Sequence, residues 1–211
     1  MQPWAVEYGT LWAWEAGDGL PPICPAQVEV EFSEIKSDQI DDLALAMNLA
    51  TLAPIQQRFQ GNRRCFGLKI AGQIVTYGWV THGVECVGEL ERKFYLNPNE
   101  AYIWDCGTVP AWRKQGCYST LLSHIIYQLQ AEGVPRLWIG ASRQNQPSIQ
   151  GIAKAGFKRV LDLTYRRFYH LTVMWINQAP STQQPLISAA YHILVNDHER
   201  RFGRWVIGYQ Q

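Results

Sequence analysis

Apolar residues recur along this chain with two periods, and the order in which the periods alternate sketches an architecture. Val6, Tyr8, Leu11, Trp12 and Trp14 read as a strand, after which glycines and prolines over residues 17–25 break any regular pattern. Val28, Val30 and Phe32 alternate with polar residues and predict a half-buried strand from Gln27 to Phe32. Ser37 predicts a helix cap, because Asp38, Asp41 and Asp42 fall in the first turn, where the helix dipole favours anions. Ile40, Leu43, Ala44 and Met47 give that helix one apolar face, and a second short helix after Pro54 reaches toward Gln60. Residues 65–71 and 74–80 are apolar and rich in strand formers, with Gly72-Gln73 between them, which predicts a tight hairpin.

Another strand, 101–109, follows the turn residues Asn97-Pro98-Asn99. The period then changes: Leu121, Leu122, Ile125, Ile126 and Leu129 recur at helical spacing from about Lys114 to Glu132, and Gly133 ends the helix. Residues 136–141 read as a strand, 147–155 as a short helix closed by Gly156, and 157–163 and 167–176 as two final strands. A linker at 178–184 leads to a tail with a helix from Pro185 and the basic run Arg200-Arg201. A strand at 101–109, a helix and a strand at 136–141 make a crossover unit, whose strands must pair in parallel. The predicted class is therefore α/β (α+β), a mixed sheet with helices on both faces.

Composition narrows the function. The 211 residues suit one domain, or one with an appendage. Charged residues are 18% of the chain, below the usual ~25%, and the net charge is +1, so no strong field points to nucleic acid or an anionic membrane. Five scattered cysteines without a C-x-x-C pair argue against a zinc framework or a full disulfide set and fit reduced thiols. The first residues lack a basic n-region, and no apolar run approaches the ~18 residues of a membrane span, so a cytoplasmic protein is expected. Nine tryptophans and ten tyrosines suit either an aromatic core or an aromatic cleft or oligomer face.

The stretch Cys106-Gly107-Thr108-Val109-Pro110-Ala111-Trp112-Arg113-Lys114-Gln115-Gly116-Cys117-Tyr118-Ser119 carries the most chemistry. A strand ends, a short loop follows and a long helix starts; the N–H groups of a helix start lack intrahelical partners and form a ready pyrophosphate site. Gly116 would allow close approach, and Arg113 and Lys114 add positive charge. An ordinary glycine turn before a surface helix would give the same local pattern.

Downstream, Asn145-Gln-Pro-Ser148-Ile-Gln-Gly-Ile152-Ala-Lys-Ala-Gly156-Phe157 adds a second pattern. With Arg113-x-x-Gly116 and Pro110 three residues ahead of it, the chain resembles the GNAT acyltransferase superfamily over roughly residues 27–176, most strongly over 101–160. The resemblance implies a largely antiparallel central sheet split by one parallel β-α-β crossover. It sets residues 1–26 apart as an N-terminal extension and 177–211 as a linker and tail packed on the domain. These aromatic-rich additions are expected to shape an acceptor pocket or a dimer contact.

The same resemblance implies acetyl-CoA, or a longer acyl-CoA, as donor. Cys106, Gly107 and Thr108 would pair through their backbone with the pantetheine arm, and one of their N–H groups would polarise the thioester carbonyl. Lys114, Gln115, Gly116, Cys117, Tyr118 and Ser119 would cradle the pyrophosphate, while Asn145 and Ser148 would contact the cofactor from the next helix. Two departures stand out. Tyr118 occupies the motif's second small position, and Ile152 occupies the place of the tyrosine that serves many members as general acid. A catalytic glutamate that some members carry at the end of the preceding strand is replaced by Gly140.

Candidate bases near the central strand are Asp105, Glu89 and Glu91, of which Asp105 is favoured because an acid inside an apolar strand is either paired or poised. A structural carboxylate bonded to a turn or an arginine is the competing account. Tyr165, Tyr169 and His170 are candidate donors, with Tyr165 preferred. Cys106 and Cys117 fit small buried residues. Lys154, Lys158, Arg159, Arg166 and Arg167 form a basic cluster, read as a solvated face, and His124 is expected on the polar side of its helix. The expected activity is direct N-acyl transfer to a small-molecule or protein amine, by a possible homodimer without metal, nucleic acid or membrane. The alternative is a non-catalytic acyl-CoA-binding or sensing module on the same fold.

Overall fold

Residues Val6–Glu15 form the first strand, β1, and it runs through the interior of the sheet. Leu11 and Ala13 are buried on one face and Trp12 and Trp14 on the other. A strand covered on both sides reads as a continuous apolar run, as LWAW does here. The computed structural model describes residues 6–87, 92–168, 171–180, 182–195 and 199–209. The other strands are β2 (Glu31–Ile35), β3 (Arg64–Ile70), β4 (Gln73–His82), β5 (Val84–Val87), β6 (Arg92–Tyr95), β7 (Glu100–Thr108), β8 (Arg136–Ser142), β9 (Lys158–Phe168), β10 (Leu171–Gln178), β11 (Arg200–Phe202) and β12 (Trp205–Tyr209). The helices are α1 (Ile40–Met47), α2 (Ala53–Gln60), α3 (Cys117–Ala131), α4 (Gln146–Lys154) and α5 (Gln184–Leu194).

Among the described residues ten strands make one sheet in the order β11-β12-β10-β9-β1-β8-β7-β4-β3-β2, and β5 and β6 form a separate hairpin. Every neighbouring pair is antiparallel except β7 with β8, the strands of the crossover through α3. α3 and α4 cover one face, where Leu121, Ile125 and Leu129 meet Phe66, Val80 and Ile103. α1, α2 and α5 cover the other, in two clusters that share Trp104. The expected mixed, largely antiparallel sheet with helices on both faces is the observed one.

Several element boundaries differ from the pattern-based ones. Residues 6–15 are a central strand paired with both β8 and β9, where the sequence set 1–26 apart as an extension. Pairing with β3 starts only at Glu31, because residues 24–27 are tied to α3 instead: the Gln27 N–H donates to the Gln115 carbonyl at 2.8 Å, and Thr120 Oγ1 donates to the Cys24 carbonyl at 2.7 Å. Val28, Val30 and Phe32 still pack on the core around α3. Ser37 does not cap α1; it lies in a 3-10 turn, where Gln39 Oε1 accepts from the Lys36 N–H. The β3–β4 turn centres on Ala71-Gly72, both at positive φ (48° and 80°), one residue earlier than predicted. α3 starts at Cys117 rather than Lys114, since Lys114 and Gly116 have left-handed backbone (φ 63° and 80°). β9 runs on to Phe168 and β10 starts at Leu171, where the sequence placed strands at 157–163 and 167–176, and the β5–β6 and β11–β12 hairpins carried no pattern strong enough to predict them.

Candidate active site

β7 and β8 pair for four residues, from Glu100 with Arg136 to Ile103 with Ile139, and then part. Beyond that point β7 follows β4 to Thr108, while β8 follows β1 to Ser142. Residues 105–108 and 140–142 therefore line a gap whose inner backbone edges have no strand between them. The Val109 N–H donates to the Val75 carbonyl at 2.9 Å, so Gly107 and Val109 turn their backbone to β4 and alternation turns the Thr108 N–H into the gap. The closed end is locked by Arg136, which reaches Glu15 on β1 at 2.7 Å and Glu100 on β7. Glu100 is 3% exposed and also accepts from Trp138 Nε1 at 2.9 Å.

The α3 terminus opens at one side of this gap. The first helical bond within α3 is from the Thr120 N–H to the Gly116 carbonyl, so the preceding amides, Gly116 to Ser119, are the ones a helix leaves without intrahelical acceptors. Arg113 is exposed, and its Nε donates to the Thr108 carbonyl at 3.2 Å, bracing the loop against the strand end. Lys114 is exposed and Gln115 is half-buried. Gly116 meets its own chain on the side a Cβ would occupy: that atom would sit 3.2 Å from the Pro25 carbonyl oxygen. Its glycine requirement thus comes from φ and from residues 25–26, a reason the motif alone did not reveal.

Tyr118 does not crowd the loop. Its ring packs on α4 at Gly151, where a Cβ would lie 2.5 Å from Cδ1, and its hydroxyl is 3.2 Å from Ser148 Oγ. Burial pushes its ionisation well up from that of an ordinary phenol. Asn145 caps α4, Oδ1 accepting from the Ser148 N–H at 3.2 Å. The amide cradle, Arg113 and the open strand edge suit a diphosphate-bearing donor with an extended arm.

On the other face of the sheet, Asp105 sits at a β-bulge with φ 40°, and its Oδ2 is 2.5 Å from Arg58 Nη1. Arg58 in turn lies over the rings of Trp79 and Trp104. Asp105 remains 38% exposed, so it is both paired and accessible. The Tyr77 ring crosses Gly107 so closely that a Cβ there would be 2.3 Å from the Tyr77 hydroxyl. Burial, with the Asp105 carboxylate adding to it, pushes this phenol up to about 12. A hollow of about 490 Å³ lies between Tyr77, the end of α1 and Gly107–Arg113. Sequence reasoning missed Arg58 and Tyr77; a glycine facing an aromatic two strands' worth of sequence away leaves no local signature.

The remaining candidates fall elsewhere. Tyr165 is 3% exposed in the core beneath α5, with its hydroxyl 3.5 Å from Thr172 Oγ1, and it lines neither the gap nor the hollow. Glu89, Glu91, Tyr169 and His170 lie outside the described residues. Cys117 is buried and Cys106 half-buried, and burial pushes both thiols up. In the basic cluster Lys158 pairs with Asp18, and Arg159 with Asp162. His124 is not on an open polar face: Phe32 stacks on it at 4.9 Å, and burial lowers its pKa. Among the described residues no group of His, Cys, Asp and Glu could hold a metal ion, and no helix is long and apolar enough to cross a membrane.

Comparison with known proteins bears on this geometry. Residues 32–157 match the model of the acetyltransferase (GNAT) family. Comparison with curated proteins gives no match. Among solved structures the chain is similar in fold to a GNAT-family protein of Novosphingobium aromaticivorans DSM 12444, at 15% identity and a TM-score of 0.52 over 83% of this chain and 66% of that one. It is similar to a GNAT-family acetyltransferase of Colwellia psychrerythraea, at 15% identity and a TM-score of 0.55 over 78% of this chain and 57% of the other. A GCN5-related N-acetyltransferase from Sphaerobacter thermophilus gives 14% identity and a TM-score of 0.55 over 83% and 53%. The chain thus spans about two thirds or less of the length of these three. With the family model covering more than half of its residues, the parting strands and the helix start beside them belong to a member of the acetyltransferase (GNAT) family.

Proposed function

We propose that the chain is an acyl-CoA-dependent N-acyltransferase, with acetyl-CoA the default donor and a small-molecule or protein amine the acceptor. The observation that carries this reading is the gap between β7 and β8, which opens beside the amide-lined start of α3. The diphosphate would rest on the amides of residues 114–119 with Arg113 at the mouth, and the pantetheine arm would lie along Cys106, Gly107 and Thr108, with Asn145 and Ser148 facing it from α4. Each charge-assisted hydrogen bond in such a cradle contributes about 1.5–3 kcal/mol.

Transfer proceeds by attack of the neutral amine nitrogen on the thioester carbonyl carbon. The C–N bond forms, the C–S bond breaks, the sulfur leaves with the electron pair, and the amine proton is released. The Thr108 N–H turned into the gap stabilises the oxyanion. An amine of pKa near 10.4 is only about one part in 2,500 neutral at pH 7, so a proton acceptor is required. Asp105 is that acceptor in this reading: Arg58 holds Oδ2 and orients the carboxylate, leaving Oδ1 for the amine or an intervening water. A thiol with a pKa near 8.5 leaves with modest help. Tyr118 offers it from α3: its hydroxyl lies at Ser148, one helical turn before Ile152, where the resemblance expected a tyrosine.

The test is release of free CoA thiol from acetyl-CoA on addition of amines, for the parent chain, Asp105→Asn and Tyr118→Phe. The reading expects amine-dependent release. It expects Asp105→Asn to lower kcat at least a hundredfold and Tyr118→Phe to lower kcat about tenfold. The absence of catalytic side chains at Gly140 and Ile152 favours a second reading, a module that binds acyl-CoA without turning it over. In that case acetyl-CoA binds, no amine releases thiol, and both substitutions leave nothing to lose.

A further inference from the structure

A cavity of about 330 Å³, at the lower end of the range of small-molecule sites, lies on the α5 face of the sheet beside the open end of the gap. Gly9 on β1 and Gly140 on β8 face it without side chains, and Leu11, Phe94, Tyr102 and Leu163 supply apolar and aromatic walls. It exists because of those two glycines: a Cβ on Gly140 would already stand 3.0 Å from the Tyr102 hydroxyl. The rim is polar, with Ser142, Gln144 and Glu7, and among the described lining residues Glu7 is the one charged side chain.

We infer that this cavity is the acceptor site and that it takes a primary amine with a compact aromatic or apolar body and no carboxylate. The inference rests on the acyltransferase reading and deepens it. The walls match an apolar body, and a single carboxylate at the rim attracts an ammonium and repels an acid. An acyl chain would enter methyl end first and need a closed apolar terminus, whereas this cavity ends in a polar, solvent-facing rim. The amide cradle at the start of α3, with exposed Arg113 and Lys114 beside it, carries the opposite charge and suits the phosphate-bearing donor. β1 therefore sets acceptor choice as well as sheet order.

The experiment compares 2-phenylethylamine, pentylamine and phenylalanine as acceptors with acetyl-CoA, in the parent chain, Gly9→Leu, Ser142→Phe and Glu7→Gln. A Cβ at Gly9 makes only ordinary contact, 3.8 Å from Leu163, so the backbone accommodates the change while the longer side chain fills the cavity. Ser142 is the cross-strand partner of Gly9 and obstructs the same space from the rim should Gly9→Leu fail to fold. The expected result is turnover of the two amines, with kcat/KM for phenylalanine at least tenfold lower. Both filling variants should raise the amine KM at least tenfold; Gly9→Leu, which lies off the gap on β1, should also leave acetyl-CoA affinity within twofold, and Glu7→Gln should narrow the preference over phenylalanine. Unchanged amine KM in the filled variants, or an altered preference for acyl-chain length, would overturn the assignment. So would binding of acetyl-CoA with no turnover of either amine. Failure of the parent chain to bind acetyl-CoA would instead sink the acyltransferase reading itself.

Discussion

The ring of Tyr118 leaves no room for a side chain at Gly151: a Cβ there would lie 2.5 Å from its Cδ1. This contact joins the first turn of α3 to α4 and holds the bulky residue clear of the amide cradle. Glycine inside a helix costs about 0.5–1 kcal/mol relative to alanine, so its presence in α4 is explained by the neighbour and not by helix formation.

Gly151→Ala is accordingly expected to destabilise the parent chain by about 1–3 kcal/mol through overpacking. In a Tyr118→Ala background the same change should become neutral or stabilising. Urea unfolding of the four chains in this cycle measures the reversal of sign.

Arg136 satisfies a carboxylate, Glu100, that is almost wholly buried between β7 and β8. Arg136→Met leaves that charge without its cation and should cost about 3–5 kcal/mol, lowering the thermal midpoint by about 10 °C. Adding Glu100→Gln should recover part of the loss, which thermal unfolding of the single and double variants will show.

Arg64 binds Glu132 after α3 at 2.5 Å and Glu34 on β2 at 3.0 Å, clamping the helix end to the sheet edge. The guanidinium holds Glu132 down from 4.5 to about 2, and Glu34 is lowered for the same reason. A carboxylate whose pKa is depressed on folding adds stability above its ordinary pKa and loses it as pH falls toward the folded value. The contribution is therefore full above pH 4.5 and fades toward pH 2. Since Glu132 is a third exposed, screening reduces it to about 1 kcal/mol. Arg64→Met should flatten the stability profile in that acid window, measured by denaturant unfolding at each pH.

Removing residues 1–15 should abolish the folded state. Leu11, Trp12 and Trp14 are each worth about 1.5–3 kcal/mol of burial, together comparable to the about 5–15 kcal/mol of net stability of a domain. β8 and β9 would also lose their shared partner. Far-UV dichroism and size-exclusion chromatography of the truncated chain are the readouts.

Most of the sheet and the helices were legible because their periods are strong: the β3–β4 pair, α3 and the crossover to β8 lie within two residues or so of their expected places, apart from the α3 start, where Lys114 and Gly116 adopt left-handed backbone. The strand character of Val6–Trp14 was legible as well, but its position was not, since local alternation carries no information about which distant strands it joins. The candidate donor site was readable from Arg113, Gly116 and Asn145 because its ligand contacts come from one contiguous β-α-β unit. Arg58 beside Asp105, the cavity between Gly9 and Gly140, and the seat of Tyr118 on Gly151 each depend on residues more than thirty positions apart, and only the folded chain brings them together.

The central claim is that the gap between β7 and β8 binds an acyl-CoA, and thermal unfolding with acetyl-CoA, free CoA and longer acyl-CoAs tests it most directly. Ligand at a hundred times its dissociation constant adds about 2.7 kcal/mol, which should raise the midpoint by about 5–10 °C for a chain of this size. A clear rise with acetyl-CoA, diminished when Arg113 is changed to Ala, is the predicted result. No rise with any of these ligands at millimolar concentration would contradict the account.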